Sequence, residues 1–259
     1  MMKKLLAMAT IAIVGTVMSC QTEDAAPTSE ISQDALSRIQ AIGFSTEGAI
    51  AVDGGYLVEG DIMLHEHDLN GQHDPKYLVI ADEEQYRTTN LVSGPQTITV
   101  SISNKLPSSY VAALDEALAR YNAQGLTLTF QRVSSNADIS LVKGNGNFLA
   151  SAGFPTGGNP YGQVKVNSNA IGSQPQGTVA SIIAHEIGHC IGFRHTDYMN
   201  RSYSCGGSAV NEGASNVGAI HIPGTPTGPD SGSWMLSCIG SGQNRPFNNN
   251  DRTALSYLY

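Results

Sequence analysis

Hydrophobic residues recur along this chain with two different periods, and each change of period marks an element. Ile98, Val100 and Ile102 alternate with Thr97, Thr99, Ser101 and Ser103, the period of two that a half-buried strand requires. Val111, Leu114, Leu118 and Tyr121 then fall at helical spacing, which predicts a helix over 109–123 stopped by Gly125. Leu126, Leu128 and Phe130 predict a further strand, Ile139 and Leu141 another, and 163–167 a fourth. A second helix is predicted over 178–190, packed through Val179, Ile182 and Ile183. A terminal helix is predicted over 251–259, with Asp251 as its N-cap and Leu255 and Leu258 facing inward. Upstream, Leu36, Ile39 and Ile42 share one side of a short helix over 33–42, and two short strands flank Asp53-Gly54-Gly55 within 49–64. His65 to Asp82 is polar and acidic and reads as a linker. Residues 206–233 are rich in Gly, Ser and Pro and too long for an idle connector, so a shaped loop is expected there.

This mixture predicts an α/β (α+β) domain. With 259 residues the chain is long enough for one ordinary domain plus an extra segment. Charged residues make up only 14% of it, which excludes a coiled coil. Its formal charge of -8 leaves no electrostatic footprint for nucleic acid.

The first residues have the parts of a secretory signal, with Lys3 and Lys4 ahead of an apolar run from Leu5 to Met18 that is too short to span a bilayer. The run closes on Val17-Met18-Ser19-Cys20, which resembles a bacterial lipobox, so residues 1–19 are expected to be removed and Cys20 to carry lipid. Gln21-Thr22-Glu23-Asp24 resembles the surface-export signals of Bacteroidetes-type lipoproteins. The expected location is therefore extracytoplasmic, as an outer-membrane or cell-surface lipoprotein of a Gram-negative bacterium, touching the membrane only through its lipid. Three cysteines then remain. In an oxidising compartment they imply one bridge and one leftover thiol, and Cys205 with Cys238 is favoured because both sit in Gly/Ser-rich segments. A bridge that uses Cys190 stays open.

The chemistry lies in the second helix, as His185-Glu186-Ile187-Gly188-His189 followed by Cys190-Ile191-Gly192-Phe193-Arg194-His195. Residues four apart on a helix stand about 40° apart in angle and roughly 6 Å apart along the axis, so His185 and His189 can share one ion. Glu186, turned by about 100°, flanks that ion where a general base belongs. His195 would face about 240° away on a continuous helix. The helix must therefore end first, and Gly192 can take the left-handed conformation that ends it. Three imidazoles with an open fourth position are the composition of a catalytic zinc site.

The string fits the H-E-x-x-H-x-x-G-x-x-H pattern of the metzincin zinc peptidases, with Met235 in Ser233-Trp234-Met235-Leu236-Ser237 as the candidate Met-turn. His185 to His189, Phe193-Arg194-His195-Thr196-Asp197 and Tyr257-Leu258-Tyr259 resemble the bacterial dual-action HEIGH metallopeptidases of that clan. The resemblance implies a zincin domain with a small twisted mixed sheet, an active-site helix, a Met-turn and a carboxy-terminal helix over 86–259. Residues 20–85 would be anchor, tether and prosegment. It also implies a zinc endopeptidase acting on protein or peptide, with one Zn²⁺ on His185, His189 and His195 and with Glu186 as base. No motif indicates Ca²⁺, and a monomer is expected. Ser237 stands where astacins place a tyrosine, so no fifth ligand is assigned, although Tyr198 is a candidate to assist an oxyanion. Val58-Glu59-Gly60-Asp61-Ile62 is similar to the F-x-G-D segment of astacin prosegments, which makes Asp61 a candidate latency ligand. An ordinary Gly-Asp turn is the competing reading.

Asp197 is a candidate to buttress a ligand histidine or, equally, to stabilise the turn after His195. His65, His67 and His73 read as solvated loop histidines rather than a second metal cluster, and His221 as a loop residue. The alternative function is a surface binding module, an adhesin or carbohydrate-binding lipoprotein with a vestigial zinc site. The carboxylate of Glu186 speaks against it.

Overall fold

In the computed structural model, residues 30–70, 85–226 and 230–259 are described. The signal segment, Cys20, the tether, His73 and most of the expected linker lie outside them. No helix of the described residues is long and apolar enough to cross a membrane.

The chain opens with α1 (Gln33–Ala41), capped by the Ser32 side chain, and continues into an antiparallel meander of β1 (Ile50–Val52), β2 (Gly55–Val58) and β3 (Ile62–Leu64). Three strands stand where two were expected. The unforeseen reversal is made by Glu59 and Gly60, both in the left-handed region at φ 54° and 92°, and a glutamate there is not a recognised turn signal. Ile39, Ile42, Phe44, Val58, Ile62 and Leu64 form a small core of their own, with Phe154 and Val217 of the main body packed against it.

The main body begins with β4 (Tyr86–Arg87) and β5 (Gln96–Ile102), followed by α2 (Ser109–Asn122), β6 (Leu128–Arg132) and β7 (Ile139–Lys143). β8 (Ala150–Ser151), β9 (Gln163–Val166), the single turn α3 (Ser168–Ile171) and α4 (Gln176–Ile191) come next. β5, β6, β7, β8 and β9 form a sheet in the order β6-β5-β7-β9-β8, parallel except for β8, which runs antiparallel at one edge. Ile98 and Val100 are buried while Thr97 on the other face is exposed, as the alternation requires. α2 lies against α4, and the Tyr121 hydroxyl donates to the Ala184 carbonyl at 2.7 Å. The inward side of α2 carries Tyr110, Ala113, Leu114, Ala117, Leu118 and Tyr121. Val111 is only half-buried: Tyr110, with the larger apolar surface, turns that side of the helix inward instead.

Within 206–233 the only strand of the described residues is β10 (Ile220–His221), which pairs with β4; the short α5 (Ser202–Cys205) precedes the loop. The closing helix α6 (Asn249–Leu258) is capped by Asn248, not by Asp251. Asp251 instead sits in the first turn and returns a bond to the Asn248 N–H at 2.9 Å, closing a capping box. Leu255 is buried, whereas Leu258 is only partly so. Cys205 and Cys238 form a disulfide and Cys190 is a buried free thiol.

Candidate metal centre and its cleft

From Thr178 to Ile191 every residue of α4 is buried, because sheet, α2 and the chain around Met235 enclose it. His185 and His189 therefore stand in the interior, one helical turn apart. The helix ends at Gly192, whose φ of 112° and ψ of 8° are left-handed and whose N–H reaches back to the carbonyls of Gly188 and His189. The Phe193 N–H also returns to Gly188, completing a closing motif that turns the chain back. An added Cβ at Gly192 would stand 2.8 Å from the Asn90 carbonyl oxygen. The turn brings the Nε2 of His195 to 3.2 Å from that of His189, which is 3.0 Å from that of His185.

Asp61 joins them. Its Oδ2 lies 3.0 Å from His195 Nε2 and 3.4 Å from His185 Nε2, and one donor atom from each of the four residues lies within 4.8 Å of the others. Each histidine commits its other nitrogen elsewhere: His185 Nδ1 to the Trp234 carbonyl at 2.9 Å, His189 Nδ1 to the Phe193 carbonyl at 2.9 Å, and His195 Nδ1 to both oxygens of Glu212 at 2.9 and 3.0 Å. These partners can only accept, so Nδ1 carries a proton in each ring, which leaves Nε2 as the atom available to a metal ion. Three imidazole nitrogens and a carboxylate oxygen within reach of one point are the donor types that bind a first-row metal such as zinc. The donor set therefore fits a metal ion.

Glu186 stands beside this group on the wall of a cleft of about 260 Å³, which is also lined by Asp61, His185, Ile182, Trp234 and Arg245. Its Oε2 is buried and has no hydrogen-bond partner. Burial pushes its carboxyl well above the ordinary range, and Asp61 pushes the same way. Met235 is fully buried against α4: an added Cβ at Gly188 would meet its sulfur at 2.6 Å, and its carbonyl accepts the Thr196 N–H at 2.9 Å. The turn at Met235 is thus fastened both to the helix and to the chain just past His195.

Sequence reasoning missed Glu212, the buttress of His195, because it lies in a Gly/Ser-rich loop without periodicity. Asp197 holds the turn instead, accepting from Ser237 N and Oγ at 2.9 and 2.8 Å and from Ser204 Oγ at 2.6 Å. Tyr198 is fully buried, edge-on to Tyr86 at 4.5 Å, with its ring 5.6 Å from the Arg194 guanidinium. His65 binds the Gly54 carbonyl and the Tyr161 hydroxyl, each at 2.8 Å, and stacks on His67, so it is a fastened loop residue rather than a ligand. His221 bonds to the Thr225 hydroxyl.

Residues 58–259 match the family of dual-action HEIGH metallo-peptidases. The chain belongs to this family. It is therefore a metallopeptidase, and its acceptable substrates are peptides or proteins. The match begins upstream of residue 86 and includes Asp61. Among solved structures, the chain is similar to myroilysin at 15% identity and a TM-score of 0.44, over 67% of this chain and 98% of that one. It is also similar to high choriolytic enzyme 1, a hatching-enzyme zinc protease from the medaka fish Oryzias latipes, at 19% identity and a TM-score of 0.36, over 62% and 88%. No curated protein matches the chain in sequence.

Proposed function

We propose that the chain is a zinc endopeptidase in which His185, His189 and His195 hold the metal and Glu186 is the general base. The observation that carries this reading is the convergence of three Nε2 atoms beside a buried carboxylate with an unpartnered oxygen. A zinc ion held there would acidify a water molecule and polarise the scissile carbonyl. Glu186 takes the proton of the attacking water and passes it to the leaving amine. Trp234, Phe193 and Glu212 fix the three rings through their Nδ1 protons, so the ligands need not reorganise when substrate enters.

Asp61 supports a further step, latency. Its Oδ2 occupies the position facing His185 and His195 that water or substrate would need. The segment around it is pinned to β8's end, where Met63 N–H donates to the Ala152 carbonyl at 2.8 Å and the Ala152 N–H donates to the Asp61 carbonyl at 3.0 Å. Gly60 lies against Arg201, where a Cβ would meet the guanidinium at 2.6 Å. In this reading residues 20–85 keep the enzyme silent until cleavage between Leu64 and Tyr86 releases them, and Cys20 tethers the chain to a membrane from outside the cytoplasm.

The test is hydrolysis of a generic protein such as casein by zinc-loaded protein. Asp61→Ala should raise the activity of the full-length chain, chelator should abolish it, and Glu186→Gln should lower it by roughly 10²- to 10⁴-fold with zinc still bound. Metal binding without chelator-sensitive cleavage by any of these proteins would instead support a binding module.

A further inference from the structure

Glu212 accepts the Nδ1 proton of His195, but that contact alone does not fix which way the carboxylate points. Its side chain is completely buried, and a buried charge needs a fixed counter-charge. Two guanidinium groups flank it, one on each oxygen. Arg194 stands 4.0 Å from Oε2 and is already committed to Glu59 at 2.8 Å and to the carbonyls of Ala214 and Gly218. Arg201 places its Nε 3.0 Å from Oε1, the oxygen that also lies 2.9 Å from His195 Nδ1. The Nε–H is not aligned there as a hydrogen bond, so the contact is one of charge. The rest of the Arg201 guanidinium meets uncharged neighbours: Nη2 lies 3.9 Å from the Cys205 sulfur and rests on Gly60, where a Cβ would stand 2.6 Å away. Among the described residues, Glu212 is the carboxylate within ion-pair reach of Arg201.

The backbone of both residues is secured without this contact. The Arg201 N–H donates to the Val210 carbonyl at 2.9 Å, and the Glu212 N–H donates to the Tyr198 carbonyl at 2.8 Å. The disulfide from Cys205 to Cys238 fastens the turn that follows Arg201. The Arg201 side chain is therefore not needed to fold the loop, and its distinct effect falls on the orientation of the Glu212 carboxylate.

We propose that Arg201 is a positioning residue of the metal centre, whose charge holds Glu212 against His195 Nδ1 and so fixes the third histidine. The inference rests on the metal site proposed above and adds to it a residue that touches none of its ligands. Arg194 attracts the same carboxylate from the side of Oε2. Without Arg201 that pull is unopposed, the carboxylate turns from the imidazole, and the ring gains freedom to carry Nε2 off the common point.

The test is the zinc affinity of the full-length chain, measured by competition with a chromophoric chelator, which needs no turnover. Arg201→Gln should weaken it roughly 10-fold, the lower end of what the loss of an outer partner costs. Arg201→Met, similar in length and uncharged, should match it. Because the contact is one of charge, Arg201→Lys should recover most of the loss. Arg201→Gln combined with Glu212→Gln should bind zinc about as tightly as Glu212→Gln alone, since both act through one carboxylate. Thermal unfolding of the zinc-free proteins separates a general loss of stability from these effects. Unchanged zinc affinity in Arg201→Gln and Arg201→Met, a loss in Arg201→Lys as large as theirs, or fully additive losses in the double variant overturns the inference and leaves the metal site standing. An unsubstituted chain that binds no zinc removes both.

Discussion

The carboxylate of Glu59 accepts from the guanidinium of Arg194 at 2.8 Å, and both side chains are almost completely buried. The pair ties the upstream segment to the histidine cluster, for Arg194 precedes His195 and Glu59 stands two residues before Asp61. The rings of Phe44, Phe154 and Tyr198 surround the guanidinium at 5.6–5.9 Å, and the next carboxylate, Glu212, is 4.0 Å away and already engaged with His195. Burial pushes the Glu59 carboxyl up to about 8 against the pull of Arg194, so Glu59→Gln should cost less than the loss of a fully ionised buried partner while still lowering stability. The expected result is a lower urea midpoint together with higher basal hydrolysis by the full-length chain, as Asp61 loosens. Unchanged stability and unchanged hydrolysis would show that the pair does not hold the segment.

Glu212 and Asp197 give opposite expectations although both are buried carboxylates near His195. Glu212 accepts the Nδ1 proton of His195, so Glu212→Gln should weaken zinc affinity by roughly 10- to 100-fold, the usual effect of losing such a partner. Asp197 touches no ligand histidine and binds Ser237 and Ser204 instead. Asp197→Asn should lower the thermal midpoint while leaving zinc affinity much closer to normal. Competition with a chromophoric chelator, alongside thermal unfolding of each variant, separates the two; equal zinc affinities in both would refute the assignment of Glu212.

The disulfide closes 33 residues of chain, joining α5 to the segment just past Met235. Loop-closure entropy for a ring of that length corresponds to about 3–4 kcal/mol. Cys205→Ser should therefore lose several kcal/mol of stability and blur the cleft, since Cys238 lines it. Cys190, wholly buried, should resist alkylation in the native protein and react only on unfolding. Peptide mapping after iodoacetamide checks this; rapid native labelling at Cys190 would contradict its burial.

What could be read in advance follows from how local each signal is. The candidate ligands of α4 lie on one helix, so their spacing alone carries the geometry, and the glycine before His195 announces the reversal. Asp61 was legible through the likeness of Val58-Glu59-Gly60-Asp61 to a prosegment motif, but its place among the histidines depends on a meander whose Glu59-Gly60 reversal has no sequence signature. Nothing in the histidine motif itself assigns a role to Gly188. Its necessity comes from Met235, 47 residues later, pressing its sulfur where a side chain would begin. Glu212 was missed because it sits in irregular chain, where no periodicity indicates which way a side chain faces, and tertiary packing alone aims it. The shift of the α6 cap from Asp251 to Asn248 is a smaller case, since either residue satisfies the capping rule and only the backbone decides between them.

The strongest dependence of the site on a single backbone conformation is at Gly192. Its φ of 112° is reached at low cost only by glycine, and its missing Cβ leaves room for the Asn90 carbonyl oxygen and the Leu91 side chain, each 2.8 Å from where a Cβ would be. The reversal it permits carries the Gly192 carbonyl to the Thr88 N–H at 2.8 Å and the Arg194 N–H to the Tyr86 carbonyl at 2.9 Å, which locks the chain to β4 just before His195. Gly192→Val adds both a forbidden conformation and a clash, so the histidine should move off the common point while His185 and His189 stay on their helix. The expected outcome is a protein that retains α4 by circular dichroism yet loses zinc on dialysis to nearly the extent of His195→Ala, which removes the ligand directly. Combining the two substitutions should add little further loss, because both delete the same contact. Full zinc stoichiometry in Gly192→Val, or a double variant much worse than either single one, would mean that His195 reaches the metal by another route.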